Sequence, residues 1–136
     1  MPYRDLQKLE IKLRECIQSQ LETESKNWWK ERVPKDVQEK AELRKNKNEK
    51  QWPWHTRKNL PFIFYVDFTD YVKIITRRDN WRQVFKGIFK DREAISVKLR
   101  ELEPIRNAIA HFRGLSYREL NKLKLLSEEI ISCILT

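Results

Sequence analysis

The sequence predicts an all-α fold, an up-and-down bundle of about five helices, on three observations. Apolar residues recur at spacings of three and four along most of the chain, the period of a helix with one buried face. Glycine occurs only 2 times in 136 residues, too rarely for the many sharp turns of a β-sandwich. The one β-like run stands alone, and a solitary strand has nothing to pair with. Residues 1–136 are expected to form a single domain around one core, since larger chains are usually needed before cores split. Hydrophobic residues make up 40% and charged ones 36%, so that core must sit beneath an unusually charged exterior.

Leu6, Leu9, Leu13, Cys16, Ile17 and Leu21 mark a first helix over residues 4–25. The pattern fades after residue 22, and Trp28 and Trp29 open a second segment. Val33-Pro34 reads as a restart. Pro34 fits a first helical position, and residues 35–45 form a weakly amphipathic helix anchored by Val37, Ala41 and Leu43. Asn46, Asn48, Pro53 and Asn59 predict an irregular Trp/Pro-containing connection near 46–60. Within it, Trp52 and Trp54 either offer rings for stacking on bases or fold down over the core, and His55 reads as a surface histidine.

Residues 60–68 are aromatic and β-branched. With no second strand they read as a buried lead-in to a helix over 71–77 that Thr69 could cap. Asp79-Asn80 makes a break, after which Trp81, Val84, Phe85, Ile88 and Phe89 predict another amphipathic helix, with Gly87 its weak point. Asp91 can cap the next helix, whose inward stripe is Ile95, Leu99, Leu102, Ile105 and Ile109. Pro104 interrupts it, freeing the Arg100 carbonyl and bending the axis, and Gly114 closes it. Ser116-Tyr117-Arg118-Glu119 has the form of a capping box. The last helix therefore begins near Tyr117, with Leu120, Leu123, Leu126, Ile130, Ile131 and Ile134 facing in.

Net charge is +9, concentrated in two stretches. One holds Arg44, Lys45, Lys47, Lys50, Arg57 and Lys58; the other Lys73, Arg77, Arg78, Arg82, Lys86, Lys90 and Arg92. Such stripes attract a polyanion over a Debye length of about 8 Å, so nucleic acid is the expected partner; a merely soluble basic surface is the bland alternative. Arg77, Arg78, Arg82 and Arg113 are the candidate nucleic-acid contacts. Cys16 and Cys133 lie far apart in apolar stripes, which reads as buried thiols and a cytoplasmic chain rather than a disulfide or metal framework. Neither a signal peptide nor a membrane span is expected. No Gly-rich phosphate loop, CxxC, HExxH or nucleophile elbow occurs, which argues against those enzyme classes, and no metal or cofactor is expected.

The chemistry candidates are Arg106, Asn107 and His111, polar residues set into the apolar helical pattern of residues 103–114. At about 100° per residue Asn107 and His111 share a face, while Arg106 and His111 stand about 140° apart. A single straight helix therefore needs long side chains, a bend or a second copy to aim both at one phosphate. The bland alternatives are that His111 serves the last carbonyls of its helix and that Arg106 pairs with Glu103 or Glu101.

Arg106-Asn107 followed by His111 resembles the R-N-x-x-x-H signature of the HEPN superfamily of nucleotide-binding helical domains. The likeness covers chiefly residues 81–136, more weakly 62–75, and finds no counterpart for 22–59. What the resemblance implies is a homodimer in which Arg106, Asn107 and His111 of both copies line one cleft, acting as a metal-independent endoribonuclease. RNA suits such a site, because its 2′-hydroxyl is an internal nucleophile needing only proton transfer and charge stabilisation. An imidazole, with an ordinary pKa of about 6.5, can supply the first and a guanidinium the second. The alternative is a non-catalytic HEPN-like module that dimerises and binds RNA or nucleotides. A toxin or defence role, with a neutralising or larger protein partner, rests on family analogy alone.

Overall fold

The computed structural model describes residues 2–51 and 60–136. In order come α1 (Pro2–Glu24), α2 (Trp28–Arg32), α3 (Lys35–Gln51), a 3₁₀ turn (Phe62–Tyr65), α4 (Asp70–Thr76), α5 (Arg78–Asn80), a π turn (Trp81–Phe85), α6 (Lys86–Phe89), α7 (Arg92–Ala110) and α8 (Tyr117–Leu135). No strand occurs among the described residues, so the fold is all-α as predicted. The readings of Trp52, Trp54 and His55 fall outside them. No helix among the described residues is long and apolar enough to cross a membrane.

The core grows from the stripe in α1. Leu6, Leu9, Leu13, Cys16, Ile17 and Leu21 are all buried, and α1 lies along α8, where Leu123, Leu126, Ile130 and Ile131 close over it. α7 adds Ile95, Leu99, Leu102 and Ile105 and packs on α1, α4 and α8. Burial pushes the Cys16 thiol up to about 11, whereas Cys133 is only half-buried; neither is in a disulfide. Trp28 and Trp29 are both buried, and Trp29 stacks on Phe62 while its indole N–H donates to Glu42 at 3.0 Å.

Several local expectations are corrected. α3 runs on to Gln51 instead of ending near residue 45, so residues 46–51 are helical and not irregular. Its outer half is held from the side: Arg44 bonds the Tyr65 carbonyl and Asp67, both at 2.7 Å, and Lys45 lies over the Phe62 ring. Leu43, expected as an anchor, is exposed; Gln38 is buried in its stead, its amide donating to the Val33 and Lys30 carbonyls. Pro34 sits one position before the helix, where its carbonyl accepts from Gln38 N. Thr69 occupies the position before α4 but makes no side-chain cap.

The break after α4 is at Arg77, not at Asp79-Asn80. Asn80 is fully buried, and its amide donates to the Arg32 carbonyl at 2.7 Å and the Ile74 carbonyl at 2.8 Å, tying α2 to α4 across the break. The π turn then explains why Trp81, Phe85 and Phe89 are all buried at strict four-residue spacing. In a regular helix each such step drifts by about 40°, and a wider turn removes much of that drift.

α7 passes through Pro104 without interruption. Leu102 and Ile105 are buried on either side of the proline, so packing offsets the single backbone bond it removes. Asp91 caps the helix as predicted, accepting from Ala94 N at 3.0 Å.

The capping box at α8 is complete. Ser116 Oγ accepts from Glu119 N at 3.2 Å, Glu119 Oε1 accepts from Ser116 N at 2.9 Å, and these bonds hold the Glu119 carboxyl below its ordinary pKa. Ser116→Ala is expected to cost about 1 kcal/mol, read as a fall of roughly 4 °C in the unfolding midpoint.

Candidate functional site at the end of helix α7

Arg106 follows the buried Ile105 and so leaves α7 at the edge of its inward face, where it meets α1. Its Nε lies 3.8 Å from Glu10 Oε1, and Glu10 in turn stands 3.8 Å from Arg14 Nη2. Arg14 Nε donates to Tyr71 Oη at 2.8 Å, and burial pushes that phenol up to about 12. The partner of Arg106 is therefore Glu10 of α1, not Glu103 or Glu101 of its own helix. At 3.8 Å this pair is longer than a charge-assisted hydrogen bond, and the Arg106 side chain keeps 38% of its exposure. An anion can recruit Arg106 while Arg14 retains Glu10.

Asn107 is half-buried on the last turn of α7, and His111 is exposed at the helix C-cap. The His111 backbone N–H donates to the Asn107 carbonyl at 3.1 Å. Neither the Asn107 amide nor the His111 ring forms a hydrogen bond among the described residues. Arg113, two positions on, is exposed as well. Arg106 opens onto a groove of about 460 Å³ with Tyr3, Leu6, Glu10, Ile109, Ala110 and Phe112, and neither Asn107 nor His111 lines it. One copy of the chain thus presents the guanidinium and the imidazole on different sides of the same helix end, as the angular estimate requires.

What ends α7 is not Gly114. Arg113 N donates to the Ala108 carbonyl at 2.8 Å and Phe112 N to the Ile109 carbonyl at 3.1 Å, the bond pair of a Schellman motif. The left-handed residue that motif needs is Phe112, with φ 56°, while Gly114 has no positive φ. A bulky residue held there is strained, and Phe112 is also 96% exposed, so no burial repays the strain. Phe112→Gly is expected to raise stability by about 0.5–1 kcal/mol, measured as a higher urea midpoint at unchanged m. Tyr3, 66% exposed, adds a second ring to this apolar rim.

The other sequence candidates lie elsewhere. Arg77, Arg78 and Arg82 line a separate cleft. Arg92, at the start of α7, bonds the Thr76 carbonyl beside Arg77, so this cluster adjoins the opposite end of the helix from His111. With 19 residues in α7 at 1.5 Å each, the two ends are roughly 28 Å apart. Reading the sequence missed Glu10, Arg14 and Tyr71 at the motif. The only sequence signal was the i, i+4 spacing of Glu10 and Arg14 beside the apolar stripe of α1. No cluster of three or more His, Cys, Asp or Glu side chains suited to a metal occurs among the described residues.

Comparison with known proteins places this geometry in a family. No curated protein and no solved structure matches the chain significantly. A family model described as Swt1-like HEPN matches residues 4–134, which includes the 22–59 segment that the motif-based likeness left out. Because the match runs through nearly every helix, the one that carries Arg106, Asn107 and His111 included, the chain belongs to the Swt1-like HEPN family.

Proposed function

We propose that the chain is a metal-independent endoribonuclease that cleaves RNA by attack of the ribose 2′-hydroxyl, working as a homodimer. The observation that carries this reading is one helix end that presents His111, an exposed imidazole without an internal partner, and, on another side, an arginine only loosely held by its own chain. His111 takes the proton of the 2′-hydroxyl as O2′ bonds to phosphorus. The bond to O5′ breaks, the departing oxygen takes up a proton, and the products are a 2′,3′-cyclic phosphate and a 5′-hydroxyl. Arg106 holds the phosphate through paired donors and offsets its growing charge, Asn107 orients the imidazole or the phosphate, and Arg113 adds a further phosphate contact.

The homodimer is supported by the different directions of Arg106 and His111 and by the exposed rings of Phe112 and Tyr3. A second copy would complete the site and cover that apolar rim. Residues 1–136 act as one domain in this reading, which the contiguous core supports, and a cytoplasmic setting suits the two free thiols.

The test is cleavage of an unstructured RNA in EDTA by the wild type, Arg106→Ala and His111→Ala. Loss in both variants, and resistance of a strand with a 2′-deoxy sugar at the cut, are the expected results. Unchanged activity in both folded variants removes these residues from the mechanism. Glu10 beside Arg106 favours one competing reading, a HEPN module that binds RNA without cutting it, because the carboxylate part-neutralises the guanidinium. Salt-sensitive binding with no products would select that reading.

A further inference from the structure

Arg78 and Arg82 stand four apart in sequence, where the chain passes from α5 into the π turn, so both project from one side of the helix. Both are exposed, and neither forms an ion pair among the described residues. The acid between them, Asp79, is already engaged: Arg77 Nε lies 3.2 Å from it and Arg32 Nη1 3.7 Å. The buried Arg32 Nη1 has no hydrogen-bond partner at all. Two guanidinium groups thus already share this one carboxylate, and Arg78 and Arg82 line the same cleft with no acid of their own.

Arg77, Arg78, Asp79, Arg82 and Gln83 enclose a cleft of about 590 Å³. Arg77 also borders a second cleft, of about 600 Å³, with Lys30, Lys35 and Gln38. Like charges packed on one helix face are unfavourable by themselves. A fully buried residue nonetheless fixes their platform, since Asn80 is bolted to the Arg32 and Ile74 carbonyls.

The geometry points to a binding site for the phosphodiester backbone of a single-stranded nucleic acid in the Arg77, Arg78 and Arg82 cleft, separate from Arg106 and His111. Exposed guanidinium forks match phosphate oxygens in pairs, and the Gln83 amide adds a neutral donor. The second cleft continues the positive surface past Arg77, so a strand held at Arg78 and Arg82 has further cations along its path. No base edge is read in this arrangement, and binding is expected to be indifferent to sequence.

The experiment is fluorescence-anisotropy titration of a labelled thymidine oligonucleotide over a range of salt. Its deoxy sugars present the phosphates but no 2′-hydroxyl, so the outcome does not depend on whether the α7 site is catalytic. Arg78→Gln/Arg82→Gln is compared with Lys26→Gln/Lys124→Gln, which removes the same charge from exposed positions elsewhere. Loss of two phosphate contacts lowers the slope of log K against log salt by about 1.4, and weakens binding about 25-fold at 0.1 M salt. The lysine pair is expected to keep the wild-type slope. An equal fall in both pairs would show that only overall charge matters, and an unchanged slope in the arginine pair would show that no phosphate sits there; either overturns the site.

Discussion

Replacing His111 with alanine is expected to slow RNA cleavage by roughly 10²- to 10⁴-fold, the usual contribution of a positioned general acid or base. The imidazole is exposed and makes no bond within the chain, so its removal leaves no cavity and no orphaned donor. A histidine at a helix C-terminus contributes at most about 1 kcal/mol through the dipole, and the unfolding midpoint should therefore fall by no more than about 4 °C. The combination separates chemistry from folding: activity collapses while the melt hardly moves. Arg106→Ala should behave similarly in activity, with Glu10 still held by Arg14 in the folded protein. Single-turnover cleavage and a thermal melt on the same preparations check both halves. A His111→Ala protein that melts with the wild type and still cuts at the wild-type rate would sink the assignment.

Asn80→Ala is expected to destabilise the fold by about 3 kcal/mol, roughly 10 °C in the unfolding midpoint. Its amide is the shared donor for the Arg32 and Ile74 carbonyls, and alanine would leave both without that partner, the Ile74 carbonyl in a buried site and the Arg32 carbonyl in a half-buried one. The side-chain oxygen Asn80 Oδ1 is buried without a bond, and losing it offsets a little of the cost. Asn80→Asp should be worse, since it places a second carboxylate next to Asp79 and replaces the donor with an acceptor. Urea unfolding of the two variants decides the matter. A loss under 1 kcal/mol in Asn80→Ala would mean that α2 and α4 hold together without this bond.

Where a helix buries one face, the periodic pattern was sufficient to find it. All six apolar positions assigned to α1 are buried, and Asp91 and Ser116 with Glu119 mark their helix starts because a cap is local chemistry. Features that depend on a distant partner were not readable. Arg44 and Lys45 extend α3 by gripping residues of the following segment, and nothing in residues 46–51 announces that. Glu10 reaches Arg106 across more than ninety positions, a meeting set by how α1 and α7 pack. Gly114 drew the closing role by its residue type, yet the left-handed position fell two residues earlier, on Phe112. At the site itself, the residue types and the angle between Arg106 and His111 were legible, while the groove beside Arg106 was not.

The contrast between the two cysteines gives the fold a chemical gauge of its own. Burial holds the Cys16 thiol well above its ordinary pKa, and the apolar core around α1 keeps alkylating reagents from it as well. Cys133, half-open on α8, is the addressable thiol of the native chain. A second label taken up by the protein would therefore record the opening of the core around its first helix.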